Sequence, residues 1–437
     1  MTPGDALPAV EQPIPAATGR AWIERLAAAE CPALTTRRRR RQEQTGANHD
    51  PIVWVEAVGS NVMDADGNRY VDLTSGFGAA LIGHRHPKVV AAVRNQAERL
   101  VHALGDLHPS DVKIQLLERL CALAPWDDAR AMLSLGGADA VTAALKTAVL
   151  ATGKTGVLAF EGSYHGLTYG PLAVSGYAER FRAPFAAQLQ PDVCFAPWPA
   201  PKTAVDAALC ALPSDWSSIG AVIVEPIQGR GGVRLPPPGF LKGLARLCRE
   251  RGALLIADEI LTGLGRCGAW WRSVDDGALP DLVCVGKALG GGLPVSACIG
   301  RHEVMQAWGD PDQEAIHTGT FYGDPLGSAA ALATLDVIEG HGWIEAAAIR
   351  GKGFADVLRH AALPGVGEVR QAGMMLGLQL NRKSQALILA RALLERGYLV
   401  LPAGARADVI QLAPAVTISD DQLEGFVSAL RSALAAS

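Results

Sequence analysis

Between residues 130 and 300 the chain alternates short, unbroken apolar runs with longer helix-patterned stretches, and this alternation constrains the fold more than any other feature of the sequence. The runs are MLSL (132–135), VLAF (157–160), AVIVEP (221–226), ALLIAD (253–258), LVCVG (282–286) and VSACIG (295–300). Continuous apolar runs of this length suit strands buried on both faces. Stretches such as ADAVTAALKTAVLA (138–151) and FLKGLARLCRE (240–250) read as the intervening helices. Strand-helix alternation predicts a mostly parallel central sheet and an α/β class.

At 437 residues the chain exceeds what one hydrophobic core usually serves. The strand signals stop near Pro325, and a helix of low polarity follows. Beyond it LGLQL, YLVLPA and VIQLAPAV supply strands, while ALILARALLERG and DDQLEGFVSALRSAL supply helices. The expected division is an N-terminal arm with part of a small domain over 1–60, a large domain over 61–330, and a smaller α+β domain over 331–437. The large domain is expected to open on a hairpin turning at Asp66-Gly67. The arm, with Pro3, Pro8, Pro13 and Pro15 close together, reads as loosely structured. Its run Arg37–Arg41 lacks interleaved aromatics and reads as a solvated or interface-facing stretch.

Hydrophobic residues make up 49% of the chain and charged residues 19%, which excludes a disordered protein. A net charge of −4 supplies no cationic field for nucleic acid or an anionic membrane. The eight cysteines never adopt C-x-x-C spacing, so no metal site is expected, and they read as thiols of a reducing compartment. No run of 18 apolar residues appears, and the expected location is cytoplasmic.

Open α/β sheets bind ligands beyond the carboxyl ends of their strands. Gly136-Gly137-Ala138, between MLSL and a helix, lets backbone N–H groups approach an anion, although a tight connection has the same sequence. Asp258, closing ALLIAD, places a carboxylate where a cation could pair with it, or it caps a helix. Lys287, after LVCVG and before Gly290-Gly291-Gly292, is a lone lysine in apolar sequence. Such an amine has the lowered pKa that a Schiff-base nucleophile needs. A phosphate cradle, a carboxylate and a buried amine are together the parts that hold and activate pyridoxal 5′-phosphate (PLP).

The motifs VEPIQG (224–229), IADEILTG (256–263), GKALGGGLP (286–294) and HTGTFYGDP (317–325) stand in order and spacing like those of class III, or ω, aminotransferases, fold-type I PLP enzymes. The resemblance runs from about Pro51 to the C-terminus. It implies that Lys287 forms the Schiff base and carries the proton at the substrate's α-carbon, and that Asp258 pairs with the pyridinium nitrogen. It further implies that Tyr164 stacks on the ring, that Gly137 and Ala138 bind the phosphate through their amides, and that Glu225 lies at the cofactor. Thr320 would bind the phosphate of the neighbouring subunit, which makes the enzyme a homodimer with shared active sites. Phe77 would face the substrate. Arg230, flanked by Gly229 and Gly231-Gly232 at the carboxyl end of AVIVEP, either points to solvent or binds a substrate carboxylate.

The sequence departs from the family at several positions. Leu261 replaces a glutamine. Leu167 stands where 4-aminobutyrate and ornithine transaminases have an arginine for a distal carboxylate. Arg230 and Gln411 replace a glutamate-arginine switch pair, and Asp324 replaces asparagine or histidine before a proline. The leading expectation is ping-pong transamination between an amine or amino acid and a keto acid or aldehyde. The altered switch pair keeps a racemase, epimerase or aminomutase on the same scaffold as the alternative, and a PLP-sensing regulator is a third reading.

Overall fold

The computed structural model describes residues 4–309 and 314–435. The chain divides into two compact units, Met1–His86 with Arg350–Ser437, and Pro87–Ile349.

In the first unit β1 (Trp54–Val58), β2 (Asn61–Asp64) and β3 (Arg69–Asp72) form an antiparallel meander. The turn falls at Asp66-Gly67 as the sequence predicts, with Gly67 at φ 89°. Asp64 Oδ1 accepts hydrogen bonds from the amides of Asp66 (3.0 Å) and Asn68 (2.9 Å), closing the turn. The expected loose arm is instead two helices, Ala17–Ala29 and Pro32–Thr45. The carboxylate of Asp66 holds the first of them, accepting from the amides of Ala16 and Gly19 at 2.9 Å each. The proline cluster ends before residue 16, and Pro32 occupies the first helical position, where its missing N–H costs nothing. The Arg37–Arg41 run lies inside the second helix, and Arg38 pairs with Glu30.

The second unit is built on β4 (Ala129–Ser134), β5 (Gly156–Phe160), β6 (Val193–Ala196), β7 (Ile219–Val224), β8 (Leu254–Asp258), β9 (Leu282–Val285) and β10 (Ser296–Arg301). They form one sheet in the order β4-β10-β9-β8-β7-β5-β6. From β6 to β9 every pairing is parallel, and β10 runs antiparallel to both of its neighbours. Alternate residues of each strand enter different cores. Leu158, Phe160, Val222, Val224 and Leu255 pack with the helix Phe240–Arg251. Val157, Ala159, Ala221, Ile223 and Ile256 pack with the helix Gly137–Thr152. Burial on both faces is why these strands read as unbroken apolar runs.

The chain then returns to the first unit with β11 (Val366–Ala372), β12 (Met375–Leu380), β13 (Tyr398–Leu399), β14 (Leu401–Ala403) and β15 (Val409–Leu412). Four of these make the sheet β11-β12-β15-β14, and β13 pairs in parallel with β3. This division differs from the expected cuts at 60/61 and 330/331. The hairpin β2–β3 belongs with the C-terminal segment because Tyr398 and Leu399 pair with Val71 and Asp72. The helix Pro325–Gly340 belongs to the sheet unit, because its small buried residues Ala329, Ala330 and Ala331 let it pack on the helices Pro87–Arg99 and Asp111–Leu123. Asp324, the departure before Pro325, caps that helix by accepting from the Gly327 amide at 2.9 Å.

The loop leaving β5 depends on a close backbone approach. Gly162 N donates to Gly176 O at 3.0 Å, and Gly176 N donates to Ser163 Oγ at 3.1 Å. A Cβ on Gly176 would lie 2.2 Å from the carbonyl oxygen of Phe160. Gly176→Ala is therefore expected to cost about 1–3 kcal/mol by forcing the two backbones apart, seen as an earlier unfolding transition in denaturant. Unchanged stability would show that this approach is not a constraint.

Candidate active site

The strand order puts the singled-out residues side by side. β9, β8, β7 and β5 are successive neighbours, and at their carboxyl ends come Lys287, Asp258, Glu225 and the pair Tyr164-His165. β4 leads into Gly136-Gly137-Ala138 at the same edge, where the antiparallel β10 begins with Ser296 opposite Ser134.

Asp258 is buried, and its Oδ2 lies 2.7 Å from His165 Nδ1. Its Oδ1 accepts from the Ile260 amide at 3.2 Å. His165 is also buried, and its Nε2 has no hydrogen-bond partner among the described residues. The tautomer protonated at Nδ1 satisfies Asp258 and leaves only a lone pair unpaired. His165 is the functional residue that sequence reasoning passed over. It stands directly after Tyr164 in GSYHG, but its partner lies 93 residues away, and only the sheet order brings them together.

Glu225, the residue after β7, is buried and bridges two loops. Its Oε1 accepts from the Tyr164 amide at 2.7 Å, and its Oε2 accepts from the Gly229 amide at 3.1 Å. Burial pushes its carboxyl up to about 7 against the pull of His165, and the neighbouring Asp258 charge adds to the rise. Glu259, next to Asp258, points to a structural task instead. It accepts from Ser273 N and Oγ at 2.7 Å each and from the Thr262 hydroxyl.

Lys287 adopts φ 42°, a left-handed backbone that costs a non-glycine residue about 1–3 kcal/mol. Burial lowers its pKa, Asp258 and Glu225 work against that fall, and Arg266 reinforces it. The preceding Gly286 packs against the helix N-terminus: a Cβ there would lie 3.3 Å from Ser296 Cβ and 3.8 Å from Gly137 Cα. Gly137 is itself confined, since a Cβ would come within 2.7 Å of Ile260 Cδ1. Gly137 and Ala138 open the helix Gly137–Thr152, so their N–H groups have no intrahelical acceptor. Ser296 Oγ donates to Gly136 O at 2.7 Å and fixes the turn before them.

This cluster fits PLP. A helix N-terminus whose backbone is free of side chain offers an anion cradle, a buried carboxylate can face a ring nitrogen, and a half-buried amine of lowered pKa can attack an aldehyde. Tyr164 supplies an aromatic ring in the loop after β5. Arg230, exposed, has its guanidinium carbon 4.8 Å from the Tyr164 ring centroid. Thr320 is not brought to the cluster by any hydrogen bond or ion pair among the described residues; it is exposed and lines a recess with His102, Ala103, Gly105 and Asp106. Phe77 belongs to the other unit, where it is 70% exposed at φ 62°.

The raised value at Glu225 fixes a sign. The folded chain holds that proton more tightly than the unfolded chain, whose carboxyl has the ordinary value of 4.5. The contribution is therefore complete below about 4.5 and lost as pH rises through about 7. Glu225→Gln should remove this loss, so the variant's stability relative to the native sequence should rise between pH 5 and 7 and then level. The rise is on the order of 3 kcal/mol, read by denaturant unfolding of cofactor-free protein. Parallel pH profiles would contradict it.

The class III aminotransferase family model matches residues 44–434. The acetylornithine aminotransferase of Methanopyrus kandleri is 39% identical over 387 residues, covering 89% of this chain and 95% of the relative. That of Mycolicibacterium smegmatis is 37% identical over 384 residues, covering 88% and 94%. Among solved structures, an amine transaminase from an uncultivated Pseudomonas species in its PLP-bound form superposes with a TM-score of 0.82 at 29% identity, covering 88% of this chain and 95% of that one. An (S)-enantioselective ω-transaminase from Thermomicrobium roseum gives 0.81 at 28% identity, covering 89% and 93%. The chain belongs to the class III aminotransferases and is a PLP-dependent transaminase.

Proposed function

We propose that this transaminase moves an amino group between an amine or amino acid and a keto acid or aldehyde with Lys287 and Asp258 as its catalytic pair. The observation that carries the reading is their placement at the ends of adjacent strands β9 and β8, where the Asp258 charge opposes the fall that burial imposes on the Lys287 pKa. PLP supplies an aldehyde that takes up the amino group and a protonated ring that withdraws electrons from the bond being broken. Lys287 would hold the cofactor through its amine and would carry the proton at the substrate's α-carbon. Burial favours its neutral form, which is the form that accepts a proton. Asp258, oriented by His165, keeps the proton on the ring nitrogen. The amides of Gly137 and Ala138 hold the phosphate at the positive end of their helix, and Glu225 locks the Tyr164 loop beside the ring.

The reading includes a homodimer in which Thr320 completes the partner's phosphate site. Support comes from the surface around Thr320, where Leu104, Leu107 and Phe321 are 58%, 73% and 56% exposed. Apolar side chains gathered in this way mark a contact surface. A cytoplasmic location suits the eight cysteines, all of them free thiols. Among the described residues no helix is long and apolar enough to cross a membrane. The relatives named for acetylornithine make an N-acylated diamino acid the first substrate to offer. Leu167 and Arg230 set this chain's own specificity apart from enzymes that place an arginine at position 167.

A panel of amines and amino acids, offered to the PLP-loaded enzyme while cofactor absorbance is followed, tests the reading through conversion to the pyridoxamine form. Lys287→Ala should lose roughly 10²–10⁴-fold in turnover and should leave no borohydride-trapped cofactor on the protein; trapped cofactor in that variant would remove Lys287 from the role. Asp258→Ala should lose about 10²–10³-fold with the fold intact, and near-native turnover would remove Asp258. Thr320→Ala should weaken PLP binding about 10- to 150-fold, and Leu107→Asp should yield a monomer by light scattering that loses PLP. A monomer that keeps its cofactor would contradict the shared site.

A further inference from the structure

Arg230 occupies an aromatic corner that the transamination chemistry leaves without a task. Its guanidinium carbon lies 4.8 Å from the centroid of Tyr164, 5.0 Å from Tyr177 and 5.9 Å from Phe181. The two tyrosine rings stand at 88° to one another with centroids 6.3 Å apart, so the guanidinium sits in the angle between them. Cation–π contact fixes the side chain without consuming its N–H donors. Among the described residues no carboxylate lies within ion-pair distance of Arg230. Glu225, on the same loop, has both oxygens engaged by the amides of Tyr164 and Gly229. Arg180 adds to the excess, its guanidinium carbon lying 5.3 Å from the same Phe181 ring and likewise lacking a carboxylate partner among the described residues. Two uncompensated guanidiniums therefore flank one ring at an exposed position.

We propose that Arg230, held by Tyr164, Tyr177 and Phe181, is the carboxylate-binding residue for the substrate, selecting amino acids and keto acids that carry a carboxylate away from the reacting carbon. The inference rests on the reading above, which puts Tyr164 at the cofactor, because one ring then separates the guanidinium from the reacting group. The planar fork of arginine meets a carboxylate through two parallel hydrogen bonds. The loop of Tyr164 cannot supply that charge itself, since Leu167 is exposed and apolar. The guanidinium comes instead from the loop after β7, where Gly229, Gly231 and Gly232 flank Arg230.

N-acetylornithine and N-acetylputrescine present the same terminal amine and differ by one carboxylate, which makes them the matched probes. In the PLP-loaded enzyme Arg230→Ala should lower kcat/KM for N-acetylornithine about 10- to 150-fold and change that for N-acetylputrescine by no more than about twofold. Arg230→Lys, which keeps the charge without the fork, should fall between. Equal losses on both amines, or no loss on either, would overturn the proposal. Calorimetric titration with 2-oxoglutarate gives a second readout independent of turnover. Arg230→Ala should weaken its binding by the same factor, and unchanged binding, or no binding to the native enzyme, would overturn the proposal. A native enzyme that converts no amine at all would instead defeat the transamination reading, and the 2-oxoglutarate titration would then decide Arg230 alone.

Discussion

Two carboxylates buried at the ends of adjacent parallel strands, Asp258 on β8 and Glu225 after β7, are the constraint around which the rest of the site is arranged. Carboxylates deprived of water are costly unless hydrogen bonds and opposite charge replace it. Asp258 obtains these from His165 and the Ile260 amide, and Glu225 from the amides of Tyr164 and Gly229. Each donor belongs to a loop that must stay in place for the carboxylate to be satisfied. The electrostatics thus fix the loop after β5, the loop after β7 and the turn after β8 together. Lys287, whose own charge burial disfavours, is the cation both acids act upon.

The topology explains why these groups meet. A parallel sheet delivers every strand's carboxyl end to one edge, and the order β9-β8-β7-β5 sets Lys287, Asp258, Glu225 and Tyr164-His165 in a row. The reversed strand β10 starts at that edge and brings Ser296 to Gly136, anchoring the turn that opens the helix Gly137–Thr152. Packing completes the arrangement. Ile260, two residues past Asp258, fills the space that a side chain on Gly137 would take, so strand end and anion cradle are in direct contact.

Much of this was legible in the sequence, because the strands that carry the site are buried on both faces and so read as unbroken apolar runs. The turn at Asp66-Gly67 and the helix beginning at the Gly136-Gly137 turn were legible for a local reason, since glycine and aspartate declare the backbone they need. What escaped was non-local. His165 gives no sign of its partner, because nothing in GSYHG points to a strand end far along the chain. The membership of the β2–β3 hairpin depends on pairing with Tyr398 and Leu399, and composition carries no trace of that pairing. The arm misleads because proline density suggests loose structure, whereas two helices follow the cluster and Pro32 begins the second. Arg230 is visible as a departure in charge, but its aromatic corner is supplied by Tyr164, Tyr177 and Phe181 from the stretch between β5 and β6, far from it in sequence.

The central claim is that one strand-end cluster both holds the cofactor and performs the proton transfers. A crystal structure of the protein grown with PLP tests it most directly. The account predicts continuous density from Lys287 Nζ to the cofactor, the ring nitrogen within hydrogen-bonding distance of Asp258, and the phosphate against the amides of Gly137 and Ala138. Cofactor density joined to another residue, or a ring nitrogen facing away from Asp258, would contradict it.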